Sequence, residues 1–211
     1  MKFLITLLTF VSFATVSFSQ DSQAILDKLS KKINSQTSFY VEFSATIKNT
    51  ATGTDESETG KGWVKGNKYY ASFGNNTIIS NGLKTWTIVK EEKMVYVSDA
   101  DEDDEESINP KKLMTIWESG FKNKYIKETT VNGDAVHVIN LYPNKPAEVD
   151  YHTIILYISK AKNELVKVVM KTKDGTTMTY LLTKFTANPE VGDSKFVFNS
   201  QKYPGYSVIK D

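Results

Sequence analysis

Residues 39–48 read Phe39-Tyr40-Val41-Glu42-Phe43-Ser44-Ala45-Thr46-Ile47-Lys48, an unbroken alternation of apolar and polar side chains. On an extended chain Phe39, Val41, Phe43, Ala45 and Ile47 fall on one face, and Tyr40, Glu42, Ser44, Thr46 and Lys48 on the other. Such a stretch is a strand with one face buried. C-terminal to it, runs rich in β-branched and aromatic residues read as further strands at 60–73, 77–80, 84–90, 93–98, 124–131, 135–142, 152–159, 164–171 and 176–186. Turn signals separate them at Gly74-Asn75-Asn76, Asn81-Gly82, Asn132-Gly133, Lys162-Asn163 and Asp174-Gly175. Links this short join antiparallel neighbours, because a parallel crossover takes about a dozen residues or more. One long antiparallel meander is expected.

Two helical pieces flank this pattern. Asp21 or Ser22 can cap a helix whose apolar positions Ile25, Leu26, Leu29 and Ile33 follow the helical period, with Lys28, Lys31 and Lys32 opposite. Asn109-Pro110 and Gly120 punctuate a second, short helix, and Phe121 can close onto Ile116. Its residues Leu113, Met114, Ile116 and Trp117 make it unusually apolar, so it must cover something.

The chain has 211 residues, 40% hydrophobic and 24% charged, which fits one globular domain. The absence of cysteine removes disulfides, thiolate zinc sites and cysteine nucleophiles together. All 26 basic residues are Lys, set against 25 acidic ones, and the net charge of +1 gives no reason to expect nucleic acid. That balance conceals a run from Asp99 to Glu106 with seven carboxylates in eight positions. As a calcium loop the run fails, since position six is Asp104 in place of Gly and position twelve is Pro110 in place of Glu. A solvated loop, weak cation binding and a lysine-rich partner remain open for it.

Residues 1–20 have a single Lys2, an apolar stretch from Phe3 to Val16, and Ser17 and Ser19 at the −3 and −1 positions of a cleavage site. This is a secretory pattern, too short for a typical spanning helix. The expected organisation is a signal peptide at 1–19 and a single domain at 20–211, released in soluble form outside the cytoplasm. With no Cys at the cleavage site, a lipid anchor is not expected.

Chemistry is sparse. His137 and His152 both lie in strand contexts, and no HExxH, GxSxG, Walker or dinucleotide glycine motif occurs. No metal site, cofactor or catalytic group is expected, although a hydrolase built on one of the two histidines stays as an alternative. A sheet of about ten strands must close, double over or be covered. Partial cover leaves a concave apolar cavity, the usual form of a site for greasy ligands. Strand parity suggests Phe39, Val41, Phe43, Ala45, Ile47, Val64, Tyr70, Ile78 and Trp86 as its lining.

Four stretches resemble one family, the periplasmic outer-membrane lipoprotein carriers (LolA-like). They are Ser38-Phe39-Tyr40-Val41-Glu42-Phe43-Ser44 after the first helix, Gly60-Lys61-Gly62-Trp63-Val64-Lys65, Ile78-Ile79-Ser80-Asn81-Gly82-Leu83-Lys84-Thr85-Trp86, and Asp193-Ser194-Lys195-Phe196-Val197-Phe198 followed by Pro204 and Gly205. The resemblance implies a mainly β fold with a few helices: an incomplete antiparallel β-barrel covered by short α-helices and enclosing an apolar cavity. It implies a monomeric, non-enzymatic periplasmic chaperone that accepts lipoproteins from an inner-membrane ABC transporter, shields their acyl chains and delivers them to an outer-membrane acceptor or bilayer. Leu113, Met114, Ile116 and Trp117 would then form a lid helix. An amphiphile-sensing module of the same fold that signals to a partner is the alternative. One departure stands out. Family members commonly place an Arg-Pro pair after the second strand motif, the Arg holding the lid closed. This chain has Gly66-Asn67 there and no Arg anywhere; Lys65 or Lys68 would offer charge without the same fork of donors.

Overall fold

The structure is a computed structural model that describes residues 21–100 and 114–210. Twelve strands form one sheet: β1 (Ser38–Asn49), β2 (Thr54–Lys65), β3 (Lys68–Phe73), β4 (Asn76–Ser80), β5 (Lys84–Val89), β6 (Met94–Asp99), β7 (Phe121–Val131), β8 (Asp134–Pro143), β9 (Tyr151–Ser159), β10 (Leu165–Thr172), β11 (Thr177–Ala187) and β12 (Ser207–Lys210). Their spatial order is β12-β6-β5-β4-β3-β2-β1-β11-β10-β9-β8-β7. The expected single meander is therefore two, β1–β6 and β7–β11, stitched together where β1 pairs antiparallel with β11. A bulge after Glu42 leaves Thr183 as the extra residue of β11 and bends the sheet at this seam. The short strand β12, absent from the sequence reading, pairs parallel with β6. Among the described residues the sheet does not close on itself, and β12 and β7 are its two edges.

A second correction concerns residues 60–73. They form two strands, because Gly66 adopts φ +61° and Gly66-Asn67 turns the chain back, with Lys65 opposite Lys68. Glycine at that turn avoids the Cβ penalty of a left-handed backbone.

Helix α1 (Ser22–Asn34) lies on one face of the sheet. Asp21 is its N-cap, accepting from the Gln23 amide at 2.9 Å, and Lys31 and Lys32 complement the dipole of the last turn. Leu26, Leu29 and Ile33 are buried against Phe39, Val41, Val64, Tyr69, Ile139, Leu141, Ile154, Leu156 and Ile158. We call this the inner face. Of the expected second helix, residues 110–113 lie outside the described residues. The described remainder is a turn at Met114-Thr115 followed by one 3₁₀ turn, Ile116–Glu118, and Gly120 ends it at φ +81°. The acidic run lies outside the described residues from position 101 onward.

The outer face carries a second, smaller cluster: Ile79, Ile88, Val95 and Val97, with Tyr70, Trp86, Phe198, Tyr203 and Tyr206 packed against it. The chain after β11 covers these strands, and β12 ends that segment on β6.

Candidate functional site

Register assigns each side chain to a face. On the inner face, Ile47 shares a row with Met178, Met170 and Ile154, and Ala45 with Tyr180, Val168 and Leu156. Phe39, Val41 and Val64 are buried in the cluster beneath α1. Farther along the strands the same face has less cover, and Phe43, Ile47, Met170, Met178, Tyr180 and Leu182 are half-buried. Phe43 anchors this strip: its ring stacks on Phe73 with centroids 5.9 Å apart and meets the edge of Tyr180 at 6.2 Å. It lies over Gly60, where any side chain would collide with the ring. Burial raises the Tyr180 hydroxyl pKa above the usual tyrosine value, as expected beside an apolar strip.

The 3₁₀ turn is tied to α1. Met114 and Trp117 are buried in the main cluster and Ile116 packs against it, whereas Leu113 lies outside the described residues. Trp117 Nε1 donates to Ser30 Oγ at 2.7 Å, and Asn34 Nδ2 donates to Glu118 Oε1 at 2.8 Å. Between the end of α1 and β1–β2 a hollow of about 40 Å³ remains, lined by Ile33, Phe39 and Val64 among others. That is room for about one water.

Seven of the nine lining residues expected from sequence thus share the inner face: Phe39, Val41, Phe43, Ala45, Ile47, Val64 and Ile78. Tyr70 and Trp86 lie on the outer face instead. The unrecognised turn at Gly66-Asn67 makes Tyr69, not Tyr70, the partner of Val64; the hairpin after Ser80 likewise makes Thr87, not Trp86, the partner of Ile78. Methionines 170 and 178 and Leu182, which the sequence reading did not single out, complete the strip. Their alternation within 164–171 and 176–186 carried the signal, but only pairing with β1 shows which side is inward.

On the outer face Tyr40, Trp63 and Tyr70 form a ladder, with centroids 4.3 Å and 5.6 Å apart. Lys195 reaches across it, its Nζ 3.9 Å from the Trp63 ring centroid and 4.0 Å from that of Tyr70. Burial, reinforced by Lys61 and Lys202, lowers its pKa. Lys65 and Lys68 flank the turn that stands where the family has Arg-Pro. Both point outward and close on Asp193 at 2.8 and 2.9 Å, so here these charges hold the C-terminal segment. Every strand lysine faces outward: Lys48, Lys61, Lys65, Lys68, Lys84, Lys122, Lys124, Lys127, Lys167, Lys171, Lys184 and Lys210.

The histidines are apart in context. His137 is half-buried on β8 with Nδ1 3.4 Å from Tyr125 Oη and 3.8 Å from Glu128; burial, then Lys160, lowers its pKa. His152 is exposed, its Nδ1 2.8 Å from Thr153 Oγ1. Among the described residues no group of three or more His, Cys, Asp or Glu side chains is placed to hold a metal ion.

The geometry is that of an open, mainly antiparallel sheet whose inner face carries an apolar core and strip, partly covered by one helix, a surface able to hold a greasy ligand. Residues 12–176 match the family model described as outer membrane lipoprotein carrier protein LolA, and the chain belongs to that family. Membership makes it a lipid- or lipoprotein-binding module. Among solved structures, an uncharacterized conserved protein from Thermus thermophilus is 12% identical and superposes with a TM-score of 0.60, over 91% of this chain and 100% of that one. LprF from Mycobacterium bovis is 15% identical with a TM-score of 0.50, over 81% and 95% of the two chains. Those two share the fold. A LolA superfamily protein from Nitrosomonas europaea is 12% identical with a TM-score of 0.45, over 83% and 97%. No curated protein sequence gives a significant match.

Proposed function

We propose that this chain is an exported periplasmic carrier, with a signal peptide at 1–19 and a single domain at 20–211, that shields lipoprotein acyl chains on its inner face. The single observation that carries this reading is the half-buried strip around Phe43, continuous in register with the helix-covered core. Each methylene withdrawn from water is worth about 0.8 kcal/mol, so a 16-carbon chain needs cover worth more than about 10 kcal/mol. The strip offers aromatic surface and two methionines, whose unbranched side chains adapt to irregular ligands. Deeper entry, toward Phe39 and Val64, requires the 3₁₀ turn and α1 to move, since the hollow beside them holds about one water. The expected partners are an inner-membrane ABC transporter that releases lipoproteins and an outer-membrane acceptor or bilayer. Binding and release need no cofactor and no catalytic group.

The test is transfer. Residues 20–211, incubated with vesicles carrying a tri-acylated lipoprotein, are expected to draw it into a soluble complex, and depletion in cells is expected to misplace outer-membrane lipoproteins. Native extracts yielding bound free lipid without protein cargo would turn the reading into an amphiphile-sensing module. Correct lipoprotein placement after depletion would end the carrier reading.

A further inference from the structure

We propose that the outer face beside β7, an edge strand among the described residues, docks onto an anionic lipid bilayer. Lys122, Lys124 and Lys127 are all exposed and project outward from this edge. Three strands away, about 14 Å at ordinary strand spacing, β10 adds Lys167 and Lys171. Among the described residues the single strand carboxylate on the outer face of β7–β10 is Asp134, at the hairpin end and 3.9 Å from Lys162 Nζ.

The charge is spread over a face and is not gathered around a hollow, which fits a plane of headgroups better than one phosphate. Tyrosines accompany it. Tyr142 stands opposite Lys122, and Lys167 Nζ lies 3.8 Å above the ring of Tyr157. Long lysine stems and amphipathic phenols suit the zone between headgroups and acyl chains. The edge also touches the cover of the inner face: Asn123 Nδ2 donates to Gln23 Oε1 of α1 at 2.7 Å. A bilayer at β7 therefore lies next to the helix that covers the core from which the acyl-binding strip continues. Lysines on an edge strand also discourage pairing with other sheets, but that role alone carries no preference for lipid charge.

The experiment uses residues 20–211 without cargo, sedimented with vesicles of phosphatidylcholine alone or mixed with phosphatidylglycerol, at low and high salt. Binding is expected only to the anionic vesicles and is expected to weaken steeply with salt. Each lysine within reach of headgroups strengthens such binding about fivefold. The triple variant Lys122→Gln, Lys124→Gln, Lys127→Gln should lose about 100-fold while its thermal unfolding stays that of the parent. Equal binding to neutral vesicles, or an unaffected triple variant, would overturn the proposal. So would capture of a poly-glutamate peptide by a protein that ignores the vesicles. Acyl-probe binding, measured on the same variants, fails separately if the carrier reading is wrong.

Discussion

Lys65 Nζ and Asp193 Oδ1 are 2.8 Å apart, and this ion pair joins the first meander of the sheet to the chain that follows its last strand. Lys68, opposite Lys65 across the turn, closes on the other oxygen of the same carboxylate. Hydrogen bonds from both lysines, followed by their charges, hold the Asp193 carboxyl down at about 2, below its ordinary value of 3.8. A carboxyl whose folded pKa is depressed stabilises the fold above its unfolded pKa and loses that contribution as pH falls toward the folded one. Amide exchange across residues 193–206 should accordingly quicken as pH drops from about 4 toward 2, after correction for the intrinsic rate. Asp193→Asn should show the faster exchange already at neutral pH; equal protection in parent and variant would dismiss the clamp.

The Trp117 indole and the Ser30 hydroxyl fasten the 3₁₀ turn to α1. Ser30→Ala leaves a buried N–H without its partner, a loss of about 1–3 kcal/mol, whereas Trp117→Phe in the Ser30→Ala background should add less than it does alone. Urea unfolding of the four proteins measures the coupling. A coupling energy of zero would show that the hydrogen bond does not hold the turn.

Phe43 and Trp86 separate the two faces. Phe43→Ala should lower affinity for a fluorescent acyl probe by about tenfold, comparable with losing about two methylenes of contact. Trp86→Ala should reduce stability through lost packing on Phe198, with centroids now 6.3 Å apart, and leave probe affinity unchanged. Reversed effects would place the acyl site on the outer face.

His137 supplies an acid-side signature. Its burial and Lys160 lower its pKa below the ordinary 6.5. The unfolded chain therefore binds this proton more readily, and stability falls as pH drops through 6.5 toward the folded value. His137→Gln should flatten that part of the stability profile in urea titrations between pH 7.5 and 5. An NMR titration with a midpoint above 6.5 would refute the assignment.

The fold class was legible in residues 39–48, because a period of two on a half-buried strand leaves little choice of structure. Asp21 as cap, Gly120 as terminator and the hairpin dipeptides were legible for the same local reason: each satisfies a backbone requirement within a few residues. Tyr70 and Trp86 show where local reading ends. The unrecognised turn at Gly66-Asn67 reverses the parity of Tyr70, and the hairpin after Ser80 that of Trp86, since each one-residue change of register moves a side chain through the sheet.

Sequence by itself determined that this protein is mostly β, its strands carrying one apolar face, since alternation and composition are properties of short windows. Tertiary structure alone decided that β1 pairs with β11, that Met178 and Leu182 come to lie beside Ile47 and Phe43, and that Lys65 and Lys68 grip Asp193. Those partners are more than a hundred residues apart in the chain, and no local propensity selects among distant strands. The choice follows from which pairing buries the most apolar surface and satisfies the backbone at once.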